Sequence, residues 1–280
     1  MLVELAVGDA YGAGFEYVDA DFIAKHNDLS RYVKHPRHNI IPGYYTDDTQ
    51  MSLAIAELLL SGNAWTPLNL AKKFVQVFKR DPREGYASRF YQFLQDTPDG
   101  ETFLANIQPE SDKSGAAMRA APLGVLADTA EVIAKCRTQA AITHNTPDGI
   151  NAAVAAALMA HYFIYEHGKT IGLRGYIDRH ADGDWLQVWQ GKVKSKGWMS
   201  VLAAITAVER NTSMSALLKD CIAFTGDVDT VATIALAAAA HSNEYIQDLP
   251  QHLIVTLENR VYGHDYLRDL DTKLMASVQK

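Results

Sequence analysis

Cysteine is nearly absent from this 280-residue chain. Cys136 and Cys221 are the only two, and both fall in apolar helical patterns where a buried, reduced thiol is expected. A disulfide-stapled scaffold is thereby excluded, and a cytoplasmic setting is expected. An excess of basic charge is also missing: 26 Lys and Arg against 33 Asp and Glu leave a net charge of -7, which argues against nonspecific nucleic-acid binding. The one basic run, Lys192 to Lys196, is short and reads as solvated surface. No stretch approaches the roughly 18 apolar residues of a membrane span. The longest, Val231 to Ala240, is mostly alanine and too short. Met1 to Asp9 carries Glu4 and no basic leader, so it does not resemble a signal peptide, and the chain reads as mature protein. β-branched alternating runs bounded by turns are scarce, and no repeat at a solenoid period is present.

What remains is helix. Hydrophobic residues make up 48% of the chain, enough to bury a full core, and no linker divides it. The periodicity predicts an all-α fold, one multi-helix domain over residues 1–280 with on the order of a dozen helices. Leu2 to Val7 reads as a short buried helix. The glycine-rich stretch from Gly8 to Glu16 is expected to be a loop free to move, carrying Glu16. After a polar stretch containing His26, His35 and His38, Thr46 or Asp47 caps a helix whose apolar stripe is Met51, Ala54, Ile55, Leu58 and Leu59 and whose stop is Gly62. Pro67 opens the next helix, and Arg89 to Gln95 is a third. Residues 97–107 are expected as loop. Helices are then expected over Ala116–Leu126, Thr129–Ala141, Asp148–Tyr165, Met199–Glu209, Ser215–Ala223, Ala232–His241, Leu249–Asn259 and Tyr266–Met275. Residues 171–196 are the least legible.

Two stretches share one grammar. Thr46-Asp47-Asp48-Thr49 and Thr225-Gly226-Asp227-Val228-Asp229-Thr230 each place acids and hydroxyls at the start of a helix. Adjacent carboxylates repel, and a helix amino terminus relieves this by about 2 kcal/mol at most; a hard metal ion relieves it far better. Asp47, Asp48, Asp227 and Asp229, with the hydroxyls of Thr46 and Thr230, form an all-oxygen donor set suited to magnesium, manganese or calcium. Zinc would call for Cys or His, and no two histidines stand at helical ligand spacing beside an acid. Either stretch alone could be a plain helix cap. Neither follows the EF-hand pattern, the strands a nucleotide-sugar transferase needs are absent, and a prenyl synthase would need an acid where Met51 stands. Further along, Ser114-Gly115 opens a helix-like pattern, and such a turn can hold an anion on its backbone N–H groups.

These pieces occur in a recognisable order: Gly8-Asp9-Ala10 with Glu16, Thr46-Asp47-Asp48-Thr49, Ser114-Gly115-Ala116-Ala117-Met118-Arg119 with Pro122-Leu123-Gly124, Thr143-His144, Asp227-Val228-Asp229-Thr230, and Tyr262-Gly263. Together they resemble the ADP-ribosylglycohydrolases, over nearly the whole chain. The resemblance implies an all-α fold with two magnesium ions, manganese being an alternative. It further implies a hydrolase that removes ADP-ribose from a modified protein side chain or a small acceptor. By matching motif, Thr46, Asp47, Asp48, Asp227, Asp229 and Thr230 would hold the metals. Glu16, with Asp47 and Asp48, would serve catalysis, Glu16 as a ligand or a proton-handling group. Ser114, Gly115 and Met118 would cradle the diphosphate and distal ribose with His144 nearby, although a helix-terminal capping role stays open for His144.

Two departures from the family pattern stand out. The family's phosphate loop commonly reads Gly-Asn-Gly before Ala, where this chain has Lys113-Ser114-Gly115. Its second acidic motif commonly reads Gly-Gly-Asp-Thr-Asp-Thr, where this chain has Thr225 and Val228 at the first and fourth positions. The metal acids survive both. An acid just before the phosphate loop often shapes acceptor choice in the family; Asp112 is the nearest, with Ser111 the other placement. Arg119 reads as one half of an internal ion pair. The alternative function is an ADP-ribose-binding or toxin-immunity protein without turnover, and retention of every metal acid favours catalysis.

Overall fold

The computed structural model describes residues 1–278. It is all-α: among the described residues only isolated bridges occur in place of a sheet. In chain order the helices are α1 (Leu2–Gly12), α2 (Ala20–His26), α3 (Asp47–Leu60), α4 (Pro67–Arg80), α5 (Ser88–Asp96), α6 (Gly100–Asn106), α7 (Thr129–Ala141), α8 (Pro147–Ile164), α9 (Leu173–His180), α10 (Gly197–Arg210), α11 (Met214–Ala223), α12 (Val228–Ala239), α13 (Gln251–Thr256) and α14 (His264–Ala276). No described helix is long and apolar enough to cross a membrane. Cys136 and Cys221 are buried and unpaired, as expected.

Small residues set the centre. α8 starts with Pro147 in its first turn and the Thr146 hydroxyl accepting from Gly149 N–H, and runs buried from Ala152 to Ile164. Its alanines let α7, α10 and α12 approach closely. α1 lies against α12 on two glycines: a Cβ added at Gly8 would stand 2.8 Å from the carbonyl carbon of Ala232, and one at Gly12 would stand 2.4 Å from the Asp229 Cα. The glycine-rich segment therefore continues α1 to Gly12 and serves close packing, where a loop was expected. α4 is amphipathic, with Leu70, Phe74, Val77 and Phe78 turned inward. Truncating a core ring such as Phe74 to alanine would cost about 3–5 kcal/mol.

Two further segments depart from their periodicity. Residues 97–107 hold α6, because Asp99 accepts from Thr102 N–H at 2.7 Å and so turns Pro98-Asp99-Gly100 into a helix start. Residues 116–126 form no α-helix. They make two 3-10 turns, Ser114–Ala116 and Ala121–Val125. Pro122 removes a backbone donor there, and Gly124 presses on α8, a Cβ at that position falling 2.7 Å from both Ala160 Cβ and His161 N. The tight turn between them, with Met118 N–H donating to Ser114 O and Ala120 N–H to Ala117 O, brings Ser114 to Met118 alongside the starts of α3 and α12.

Candidate active site

The start of α3 is capped from a distance. Asp9, in the last turns of α1 and fully buried, accepts from Thr46 N–H (2.9 Å), Thr46 Oγ1 (2.7 Å), Thr49 N–H (2.9 Å) and Thr49 Oγ1 (2.5 Å). Thr46 occupies the N-cap position, but its hydroxyl is spent on Asp9 and does not cap α3. The orphan donors of the helix are thus satisfied by a residue some 40 positions upstream. That leaves the carboxylates of Asp47 and Asp48 free of capping work.

The second corner opens α12. Gly226, at φ +94°, lies so close to Val193 that a Cβ would overlap its carbonyl oxygen, and Thr225 before it also sits in the left-handed region at φ +65°. This strained turn, tied by Asp227 N–H to Val193 O (3.2 Å), lifts Asp227 and Asp229 to face the first corner. Carboxylate oxygens of Glu16, Asp227 and Asp229 come within 4.8 Å of one another. The Thr230 hydroxyl reaches back to Asp48 and Asp227, so the two corners touch directly. Ser200 Oγ donates to Asp227 Oδ2 at 3.1 Å.

Every acid of the cluster is harder to ionise than usual. Burial dominates for each. For Asp48 the charges of Asp47, Asp9 and Asp227 add to it; for Asp229 those of Glu16, Asp48 and Asp227; for Asp47 those of Asp9 and Glu16. Asp227 is raised by burial and partly relieved by the hydroxyls of Ser200, Ser114 and Thr230. Glu16 is pushed up to about 7 by burial and then by Asp227 and Asp9. Asp48 Oδ2 is buried with no hydrogen-bond partner among the described residues. Repelling buried carboxylates, an orphaned oxygen and hydroxyls beside them are the donor chemistry that suits a hard divalent cation.

Glu16 does not ride on a free loop. Its carbonyl accepts from His35 Nε2 at 2.8 Å, Tyr17 N–H donates to Gly226 O at 2.8 Å, and the Arg37 guanidinium holds Tyr17 O. The glycines expected to free the segment instead pack it, Gly14 against Val33 O included. Residues 81–87, which carry no motif, also frame the site. Glu84 O accepts from Asp47 N–H at 3.1 Å, and Gly85, at φ +101°, leaves the room in which Asp47 Oδ1 lies. A lone Gly in a charged loop was the only available signal.

The Ser114 strip forms the other wall. Ser114 N–H donates to Ser195 O (3.2 Å), so this donor is not free for an anion, whereas the Ser114 hydroxyl turns to Asp227. Met118 is buried, and its carbonyl accepts from Ser52 Oγ on α3 at 3.2 Å. Gly115 lies against the His144 ring. Asp112 sits at the edge, but its carboxylate is engaged by Lys196 and its carbonyl by Gly197 N–H. Arg119 is no ion-pair partner. It is 1% exposed, and its hydrogen bonds go to neutral oxygens: Gln139 Oε1 (2.6 Å), Gln139 O (2.9 Å) and Thr143 Oγ1 (2.8 Å). The Phe74 ring lies 4.5 Å from its guanidinium. Burial draws the Arg119 pKa down to about 10, and burial together with Arg119 draws that of His144 down to about 3.

Known proteins share both sequence and fold with this chain. The human ADP-ribosylhydrolase ARH3 is 30% identical over 126 residues, which is 42% of this chain and 35% of that one, so the match spans about a third of that relative's length. The ADP-ribosyl-(dinitrogen reductase) glycohydrolase of Rhodospirillum rubrum is 26% identical over 276 residues, covering 92% of this chain and 88% of its own. Among solved structures, an ADP-ribosylglycohydrolase-related protein complex superposes with a TM-score of 0.75 at 22% identity, over 99% of this chain and 96% of that one, a likeness of fold alone. The family model described as ADP-ribosylglycohydrolase matches residues 1–280, which takes in both acidic corners, the Ser114 strip and His144. With the fold, the paired acids and that match in agreement, the chain belongs to the ADP-ribosylglycohydrolase family.

Proposed function

We propose that this chain hydrolyses the bond between the anomeric carbon of an ADP-ribose ribose and its acceptor, a modified protein side chain or a small molecule. The observation that carries this reading is the cluster of Glu16, Asp227 and Asp229 within 4.8 Å of one another, with the charges of Asp47 and Asp48, and an orphaned Asp48 oxygen, pressing on it from the α3 corner. Divalent cations, Mg2+ or Mn2+ and in our reading a pair, held by Thr46, Asp47, Asp48, Asp227, Asp229 and Thr230, would supply positive charge for the ribose hydroxyls and lower the pKa of a water.

The chain's own groups do the rest. Asp9 keeps the Thr46 and Thr49 hydroxyls oriented, so the α3 corner is organised before a ligand arrives. Glu16, raised by burial and by Asp227 while no cation is bound, would be drawn back toward its ionised form by bound cations and could then take a proton from water. Ser114, Gly115 and Met118 line the wall on which the diphosphate and distal ribose would rest. Lys196 holds the Asp112 carboxylate, which disfavours Asp112 as a free anionic contact for a cationic acceptor. Two buried free thiols suit a reducing compartment such as the cytoplasm.

The test is release of free ADP-ribose from ADP-ribosylated arginine, serine and small-molecule acceptors, run with Mg2+ and with chelator. Release from at least one substrate that stops on chelation supports the reading. Tight ADP-ribose binding with no release from any substrate would replace it with a capture protein.

A further inference from the structure

His144 is 7% exposed, and its ring nitrogens are not equivalent. Nδ1 lies 2.7 Å from Thr143 Oγ1, and that same oxygen receives Arg119 Nη2 at 2.8 Å. A guanidinium only donates, so the single hydrogen of the Thr143 hydroxyl cannot point at Arg119. Among the described hydrogen bonds the hydroxyl hydrogen is satisfied only if His144 Nδ1 accepts it, an Nδ1–H ring leaving it without an acceptor. In a neutral ring the hydrogen then sits on Nε2. This nitrogen has no hydrogen-bonding partner among the described residues, and it faces the Ser114 strip: a Cβ built on Gly115 would stand 3.1 Å from it. The residue is packed at its base, where a Cβ on Gly149 would stand 2.8 Å from His144 Cβ. Arg119 is fixed in turn by both oxygens of Gln139, whose amide nitrogen donates to Ala116 O in the strip itself at 3.1 Å.

We infer that Thr143 is a positioning residue which, backed by the buried Arg119, locks His144 in its Nε2–H form and aims that hydrogen at an anionic oxygen of the ligand lying on Gly115. The inference rests on the proposed substrate only for the identity of that oxygen, which belongs to ADP-ribose. An N–H fixed in direction by its tautomer gains a hydrogen bond to a ligand oxygen at little cost in reorganisation, because the hydroxyl has already chosen which nitrogen carries the hydrogen.

Long-range 1H–15N spectra of the full-length labelled chain, with His144→Gln to assign the ring, report the tautomer directly. Calorimetry with ADP-ribose and Mg2+ reports affinity and stoichiometry. The expected result is an Nε2–H ring in the wild type and in Thr143→Ser. Thr143→Val should bind ADP-ribose about tenfold more weakly at unchanged stoichiometry, and Thr143→Ser within about twofold of wild type. A folding defect would lower the stoichiometry and leave the dissociation constant alone, and that pattern overturns the positioning role. So does an Nδ1–H ring in the wild type, or a Thr143→Val chain that binds as tightly as wild type. A wild-type chain with the Nε2–H ring and no affinity for ADP-ribose overturns the proposed substrate while upholding the tautomer lock.

Discussion

The carboxylate of Asp9 stands 2.5 Å from the hydroxyl of Thr49 and holds the first turn of α3 from the end of α1. Removing it by Asp9→Ala orphans the N–H groups of Thr46 and Thr49 inside the protein, against some relief of like charge. A net loss of about 2 kcal/mol is expected, read as a lower urea midpoint in saturating Mg2+. An unchanged midpoint would mean that the helix start is satisfied otherwise.

Asp48 should behave in the opposite way for stability and for activity. Its buried, unpartnered Oδ2 and its charged neighbours make it a cost to the metal-free fold. Asp48→Asn is therefore expected to raise the melting temperature in chelator while lowering ADP-ribose release by about a hundredfold or more. Asp229→Ala should likewise abolish release with helical content almost unchanged. A variant that keeps wild-type release would remove the metal reading.

The pH dependence of the metal-free protein has a definite sign. Glu16 has a usual value of 4.5 and is pushed up to about 7 in the fold, and the neighbouring aspartates are raised too. Between those values the folded state keeps a proton that the unfolded chain has released, so stability is greatest at the acid end of that window and falls as pH rises through 7. Thermal melts at pH 5 to 8 in chelator should show this decline, and Mg2+ should flatten it. A metal-free protein that gains stability over that range would contradict the buried repulsion.

Gly85 and Gly62 form a matched pair. Both lie in the left-handed region, at φ +101° and +71°, but a Cβ on Gly85 would stand 2.1 Å from Asp47 Oδ1, while one on Gly62 meets nothing within 4 Å. Gly62→Ala should cost about 1 kcal/mol from backbone strain and leave Mg2+ affinity intact. Gly85→Ala should weaken Mg2+ binding by about tenfold or more, measured by calorimetry, because it displaces a proposed ligand. Equal metal affinity in the two variants would take Asp47 out of the site.

Local chemistry explains which elements could be read along the chain. α4 and α7 are bounded by residues that act within a turn of themselves, Thr66 with Pro67 and Asp128 with Ala130 N–H, and periodicity finds their buried faces. α6 was missed because a cap at Asp99 looks the same as a loop until the donors that it meets are known. The 116–126 segment has helical composition, but Pro122 and the contact of Gly124 with α8 prevent it from winding. Asp9 appeared only within a motif, and nothing near it announced that it caps a helix at Thr46.

Pattern alone was enough for the all-α class, for the two acid-and-hydroxyl corners and for the family, because helix starts, charge spacing and motif order are properties of neighbours in the chain. Only the folded molecule decided that Thr230 would reach Asp48, that Lys196 would occupy Asp112, that Arg119 would lack an acid and that Thr143 would stand between Arg119 and His144 Nδ1. These outcomes depend on which groups lose water together and which single partner lies within about 3 Å, and both are set by how distant helices pack.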